Sequence, residues 1–433
     1  MAKGYFGKYG GQFVPELLYP ALVELEESFE AVKKNKSFQD EHKRLLSDFA
    51  GRPTPLYFAK NTSKYLGFKV YFKREDLALG GSHKINNALG QALLTKYIGK
   101  KKIVTETAAG MHGVATIMAA NAVGLECKVF MGVKDIERQR MNAEKIRLLG
   151  GKVIPVNRGH GVLKDAVSEA LVSWTRDLPN THYLIGSAVG PHPFPIMVAY
   201  FQKVIGIETK KQILKMEGKL PKTIIACGSG GSNALGIFQE FINGSDVELV
   251  FVEGAEAAAF KNGSVGIFQG TKTYVLQDEF GMDRKTTSRA AGLNYPARGP
   301  QLSYLVDSGR IKPTTANDIE VIEAFYKMSK LEGLMPAFET CHAIAELFKR
   351  KGKYRKDDVV ILNFSGRGDK DIDTVKKRIV QGLEVLDPEQ VWVDPDCGLK
   401  TRTVEESIEK MRVVVTAVKQ LRTRYVKSTS QVQ

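Results

Sequence analysis

Short apolar runs alternate with helical periodicities along most of this chain. Strand-length runs fall at Lys69-Phe72, Lys102-Glu106, Glu126-Met131, Lys152-Val156, Thr223-Ala226, Glu248-Val252 and Asp358-Asn363. Between them, the spacing predicts helices over Ile85-Tyr97, Gly113-Val123, Asp135-Leu149, Leu163-Arg176, Asn233-Phe241 and Ala316-Glu332. Strands that alternate with helices argue for an α/β fold with doubly wound parallel sheets. Two of these strands run straight into small-residue turns and then a helix. Lys102-Glu106 leads to Thr107-Ala108-Ala109-Gly110, and Thr223-Ala226 leads to Gly228-Ser229-Gly230-Gly231. Ligands of such sheets sit at the carboxyl ends of the strands, so both turns are expected to line a site.

Composition narrows the class. The chain has 433 residues, 43% hydrophobic and 26% charged, enough for two or three domains with ample cores. The net charge of +15 is dispersed. The basic clusters Lys100-Lys101-Lys102 and Lys349 to Lys356 lack the interleaved aromatics of a nucleic-acid platform, so no nucleic-acid partner is expected. The four cysteines at 127, 227, 341 and 397 form no close pair, which argues against a disulfide framework or a zinc knuckle. Thr107 to Leu125 carries no Lys, Arg, Asp or Glu but is rich in Gly, Ala, Thr and Asn. It reads as a buried turn and helix rather than a membrane span. Met1-Ala2-Lys3-Gly4 is not followed by an apolar leader, so a cytoplasmic location is expected.

The chemistry concentrates in a few short runs. In Gly81-Ser82-His83-Lys84-Ile85-Asn86-Asn87-Ala88, a lysine follows a Gly-rich turn and opens an amphipathic segment. A lysine that is partly buried loses protons more easily and can form a Schiff base. The turn Gly228 to Asn233 resembles a phosphate nest, in which backbone N–H groups converge where bulky side chains are missing. Glu106 closes a strand and suits a general acid and base. Thr107 to His112 can offer backbone N–H groups to a substrate carboxylate, with His112 itself a satisfied helix-start histidine. Ser365, in Phe364-Ser365-Gly366-Arg367-Gly368-Asp369, can hydrogen-bond a pyridine nitrogen without holding it protonated, or simply cap a helix.

Taken together, these runs resemble the tryptophan synthase β-subunit family, fold-type-II enzymes of pyridoxal 5'-phosphate (PLP). The likeness extends from about Gly4 to Val385. It includes Tyr9-Gly10-Gly11-Gln12-Phe13-Val14-Pro15-Glu16, Gly51-Arg52-Pro53-Thr54-Pro55-Leu56, Lys73-Arg74-Glu75-Asp76-Leu77, Glu137-Arg138-Gln139, His182-Tyr183-Leu184-Ile185-Gly186 and Gly190-Pro191-His192-Pro193. The resemblance implies two parallel-sheet domains, residues 1–200 and 201–385, with the cofactor between them. It implies a mobile lid over about 103–186 and a tail over 386–433. It further implies that Lys84 holds PLP as a Schiff base and moves the α-proton, while Glu106 protonates the departing serine hydroxyl and later takes the indole N–H proton. His83, Asn86, Gly230, Gly231, Ser232 and Asn233 would serve the cofactor, with Glu339 near its ring and Ser365 at its nitrogen. Thr107, Ala108, Gly110, Met111 and His112 would hold the substrate carboxylate. The implied reaction is β-replacement, in which L-serine gives an aminoacrylate and water, and indole adds to yield L-tryptophan. A homodimer, an α subunit in an α2β2 assembly meeting Lys164 and its helix, and a monovalent cation (Na+ or K+) on the backbone of Ser229, Tyr295 and Ala297 are also implied.

The chain departs from that family's pattern at several positions. Ala108 and Met111 stand where the family has Gly and Gln, and Ser229 takes the place of the first of three glycines. In Gly292-Leu293-Asn294-Tyr295-Pro296-Ala297-Arg298 the family has Asp at 294, which pairs with the arginine matched by Arg138, and an apolar residue at 298. One negative charge is lost and one positive gained near the donor pocket. This opens a second reading, in which an anionic donor such as O-phosphoserine is used, because phosphate favours arginine. Two more readings stay open: β-elimination, and a weakened paralogue that acts as a binding or regulatory partner.

A second resemblance covers about 386–424. Val391-Trp392-Val393-Asp394-Pro395-Asp396-Cys397-Gly398 and the helical spacing of Val404, Ile408, Met411, Val415 and Val418 look like the end of cobalamin-independent methionine synthase. One strand–helix unit cannot close a barrel, and Cys397 alone makes a poor zinc site. The tail reads as a fusion remnant.

Overall fold

A computed structural model describes residues 3–244 and 246–372 of the chain. Cys397 and the rest of the expected tail lie outside the described residues. Three sheets organise what is described. The largest has six strands in the order Ile311–Ala316, Glu248–Gly254, Thr223–Cys227, Val359–Phe364, Lys69–Arg74 and Leu56–Phe58. All its neighbours are parallel except the last pair. A second sheet, in the order Lys152–Val156, Glu126–Gly132, Lys102–Thr107 and Thr181–Tyr183, is wholly parallel. Its strands and connecting helices span residues 102–183. The third is a small antiparallel sheet of Tyr5–Phe6, Tyr9–Gly10, Thr271–Val275 and Ser264–Phe268. The α/β fold with parallel sheets is therefore the observed one, and each strand read from the apolar runs forms.

The differences from expectation have local causes. The predicted helix 135–149 is two helices, Val133–Arg138 and Arg140–Leu148, broken where Gln139 leaves helical geometry at φ −126°. The predicted start at Ala316 falls too early, because Ala316 closes a strand. Asn317 then caps the helix Asp318–Glu332. Its Oδ1 accepts from the Ile319 and Glu320 N–H groups, and Glu320 accepts from the Asn317 N–H. The helix opened by Lys84, Lys84–Tyr97, is not amphipathic. Every residue from Ile85 to Thr95 is buried. Its polar side chains are satisfied inside: Asn87 and Gln91 both donate to the Ile185 carbonyl.

That buried helix is anchored by charge. Arg52 donates both Nη atoms to Glu75, at 2.8 and 2.9 Å, and Nε and Nη2 to Glu208, at 2.9 and 2.8 Å. Lys73 reaches Glu208 at 2.7 Å. Asn86, in the first turn of the helix, accepts from Arg52 and donates to Glu75 and Gln202. Gln202 in turn donates to the His83 carbonyl. The Arg52 guanidinium holds Glu75 low, at about 2, against the strong upward push of burial. Removing one partner of such a buried pair leaves the other charge stranded, which costs about 3–5 kcal/mol. Arg52→Leu is expected to lose stability on that scale in urea unfolding, and a loss below about 1 kcal/mol would show that the network does not anchor the helix.

Candidate active site

The carboxyl ends of four strands open onto one cleft. Lys102–Thr107 delivers Glu106 and the turn 107–110. Thr223–Cys227 delivers Gly228 to Gly231, and Val359–Phe364 delivers Ser365. Thr181–Tyr183 leads to Ile185, Gly186 and Ser187. The cleft and its mouth hold about 980 Å³ of empty space, part of it open to solvent. Lys84 and Glu106 both face it. They are joined through Gly186, whose N–H donates to Glu106 Oε1 at 3.1 Å and whose carbonyl accepts from Lys84 Nζ at 2.5 Å.

Burial sets the protonation of both groups. Desolvation pulls the Lys84 amine down to about 8, only partly opposed by the Glu106 and Glu339 carboxylates. It pushes the Glu106 carboxyl up to about 7. Glu106 Oε2 is buried without a hydrogen-bond partner. Near neutrality the lysine can therefore give up a proton, and the carboxyl can carry one or take one.

The far wall fits a phosphate. A Cβ on Gly230 would lie 2.4 Å from Ser187 Oγ, and Gly231 adopts φ +93°, so side chains are excluded from this turn. Among the described residues, the N–H groups of Gly230, Gly231 and Ser232 donate to no backbone carbonyl. Asn233 also lines the cleft, but its side chain is committed to the protein. Its side chain donates to the Cys227 carbonyl at 2.7 Å and accepts from Asn363 at 3.1 Å, bracing the turn from behind. His83 contacts the Ser365 carbonyl through Nδ1 at 3.0 Å and Ser232 Oγ through Nε2 at 3.2 Å. Burial drops it to about 3, so it is neutral, with its proton on Nδ1 toward the carbonyl. Ser365 Oγ lies 2.9 Å from Thr340 Oγ1. Glu339 accepts from the Gly292 N–H at 2.8 Å and pairs with Lys370 at 2.9 Å. Burial would raise its carboxyl, but Lys370 outweighs that and holds it ionised. An amine that faces the cleft, a turn stripped of side chains and a buried hydroxyl lining the same cleft together fit PLP.

The turn after Glu106 brings Thr107, Ala108, Met111 and His112 to the cleft, but not Gly110. Gly110 has φ +78° and packs against Asn142, where a Cβ would come within 2.3 Å of Asn142 Cβ. Its role is to turn the chain into the helix Met111–Val123. His112 lies 2.9 Å from Thr105 Oγ1 and 3.2 Å from the Leu184 carbonyl, and burial drops it to about 3.

Three expected residues lie elsewhere. Asn86 belongs to the Arg52 network. Asn294 and Arg138 line a second, strongly basic cavity with Lys134, Lys164 and Lys285, and Arg138 is bound to Asp135 at 2.9 Å. Lys164 there pairs with Asp283 at 2.8 Å. The expectation that Arg298 adds positive charge to the donor pocket is also corrected. Arg298 is fully buried, does not line the cleft, and is neutralised by Glu253 at 2.6 Å. Its Nη1 donates to the carbonyls of Tyr295 and Ala297, at 3.1 and 3.0 Å. Sequence reasoning missed Gly186, Ser187 and Lys370. The first two follow a three-residue strand too short to show periodicity, and Lys370 gains its meaning only from Glu339.

Residues 48–366 match the family described as pyridoxal-phosphate dependent enzyme. Residues 370–420 match the cobalamin-independent synthase catalytic domain, beginning ahead of the expected position near 386. Among solved structures, the chain is similar to a threonine deaminase from T.th., with a TM-score of 0.59 and 19% identity over 80% of this chain and 97% of that one. At that identity the likeness shows the fold alone. Among the described residues no helix is long and apolar enough to cross a membrane, and no cluster of His, Cys, Asp or Glu could hold a metal ion.

The raised Glu106 carboxyl ties stability to pH. It binds its proton more tightly folded, at about 7, than at its ordinary 4.5. The stability this adds is complete below the ordinary value and is lost as pH rises through the folded one, about 3 kcal/mol in all. Glu106→Gln has the same shape and no charge. In the cofactor-free chain it is expected to match the wild type near the acid end and to exceed its stability by up to about 3 kcal/mol at about pH 8. Parallel stability curves for the two proteins would refute the buried-carboxyl account.

Proposed function

Because the chain belongs to the family of pyridoxal-phosphate dependent enzymes, we propose that it catalyses β-replacement, joining indole to the three-carbon skeleton of L-serine to give L-tryptophan and water. The observation that carries this reading is Glu106. A carboxyl that titrates near neutrality shares the cleft with the Lys84 amine and is bridged to it by one residue. When bound, PLP supplies the electron sink that lets a Cα proton and a Cβ substituent leave.

This chain's residues do the rest. Lys84 anchors the cofactor, and its amine, once released, removes and returns the Cα proton. Glu106 gives its proton to the departing serine hydroxyl, which leaves as water. The same carboxylate then accepts the N–H proton of indole as indole attacks through carbon. The N–H groups at the start of the helix Met111–Val123 hold the substrate carboxylate. Leu163, Val167, Ile185, Val189 and Leu293 give the cleft apolar walls, which suit an aromatic second substrate and exclude water from the step between departure and attack.

L-Serine is the proposed donor rather than O-phosphoserine. Arg298, the residue that favours a phosphate in the sequence, is committed to Glu253, and among the described residues no arginine lines the cleft. We further propose a homodimer in the cytoplasm. The basic cavity around Lys164 is offered as the surface that meets an indole-producing α subunit.

A panel of amino donors with indole, read by product mass, tests the reaction. L-Serine is expected to give tryptophan faster than O-phosphoserine, and the reverse order would overturn the choice of donor. Lys84→Ala should abolish borohydride-fixable cofactor and turnover together. Glu106→Gln should keep the visible cofactor band but lose about 10²-fold or more in turnover. A Glu106→Gln protein with wild-type turnover would remove Glu106 from the mechanism. A wild-type chain with the cofactor band and no turnover of any donor would favour the regulatory-partner reading.

A further inference from the structure

Arg298 is a full positive charge in a place where no solvent reaches it. Its side chain and that of Glu253 are each about 1% exposed. The guanidinium is surrounded by oxygen atoms from three stretches of chain, at 229, 253–257 and 295–297. Nε donates to Glu253 at 2.6 Å. Nη1 contacts the carbonyls of Tyr295 and Ala297 and, at 3.4 Å, the hydroxyl of Ser229. Nη2 donates to the Ala257 carbonyl. A guanidinium has five N–H donors, no acceptor and a permanent charge, so it can satisfy several carbonyls that would otherwise need a bound cation. Arg298 is itself held in place: its N–H donates to the Tyr274 carbonyl, and its own carbonyl accepts from Thr273.

Two of these oxygens belong to residues of the cofactor cleft. Ser229 opens the glycine turn expected to hold phosphate, and Tyr295 lines the cleft. The carbonyls of Tyr295 and Ala297 are also the ones the sequence resemblance marked for Na+ or K+. With the Arg298 guanidinium among them, the residues present do not fit a further cation. The Tyr295 and Ala297 carbonyls and the Glu253 carboxylate already accept from the guanidinium, so a second cation would find neither free acceptors nor an unpaired negative charge there.

We propose that Arg298 is a covalently built-in cation that replaces a bound monovalent ion, positioning the Ser229 turn and the Tyr295 wall, and that cofactor retention by this chain is therefore indifferent to Na+ and K+. Arg298 touches neither cofactor nor substrate; it is a positioning residue. The inference rests on the reading of the cleft as a PLP site, but not on which reaction follows.

The test measures PLP dissociation, from the visible band of the holoenzyme, in chloride salts of Na+, K+, Cs+, ammonium and tetramethylammonium at constant ionic strength. Wild-type affinities should agree within about two-fold, the scale left after screening is held constant. An affinity about ten-fold tighter in K+ or Na+ than in tetramethylammonium would overturn the proposal, since it would reveal a working ion site. The paired variant Arg298→Leu with Glu253→Gln removes both buried charges together and so avoids a stranded carboxylate. It should hold PLP about ten-fold or more weakly, the equivalent of one charge-assisted hydrogen bond. K+, ammonium or dilute guanidinium should restore it, and tetramethylammonium should not. A folded paired variant whose affinity ignores all these cations would equally overturn the proposal, and should that variant fail to fold, the wild-type salt series decides alone. Because every readout is cofactor retention, failure to find tryptophan among the products would count against the proposed function and leave this result standing.

Discussion

The constraint on which this structure turns is the burial of one amine. Lys84 must lie where water cannot hold its charge, and the fold places it at the start of a helix that is buried all round. Desolvation then draws the amine toward neutrality, at about 8. The same dry environment raises Glu106 to about 7. A surface lysine and a surface glutamate would sit far apart in proton affinity. Here burial draws them together, and the backbone of Gly186 touches both.

Several other buried charges among the described residues are handled the opposite way. Arg52 with Glu75 and Glu208, Arg298 with Glu253, and Lys370 with Glu339 are each paired at hydrogen-bond distance. The pairing holds Glu75 and Glu339 ionised and fixes their neighbours in place. The contrast sorts the polar interior into two kinds. The paired groups are scaffolding: one set fixes the Lys84 helix, and another links Ser229 of the glycine turn to the Tyr295 backbone. Lys84 and Glu106 face the cleft without a direct ionic contact to each other, so their protons remain available for chemistry.

Much of the cleft was legible because its parts are local in sequence. A glycine turn excludes side chains wherever it occurs, so Gly228 to Gly231 could be read before any fold was known. Glu106 lies at the end of one strand and Ser365 follows another, their apolar runs are unmistakable, and strand ends face ligands in parallel sheets. The misreadings share a different cause. Gly110, Asn86 and Asn294 sit beside site residues in sequence, but each faces another neighbour: Asn142, Arg52 and the second cavity respectively. Arg298 was the largest misjudgement. From sequence, a new arginine near a pocket adds charge to it. In the structure Glu253, forty-five positions away, cancels that charge and turns the side chain inward.

The sequence by itself determined the α/β order of elements and the turn chemistry and singled out Lys84, because periodicity and glycine content act over a few residues. It also pointed to the broad family, the pyridoxal-phosphate dependent enzymes. Only the tertiary structure decided which charges are free and which are bound. That choice depends on pairs brought together across 45 to 156 positions, such as Arg298 with Glu253 and Arg52 with Glu208. It depends as well on desolvation, which no single segment can produce. Whether a buried side chain reacts or supports is settled by what packs against it.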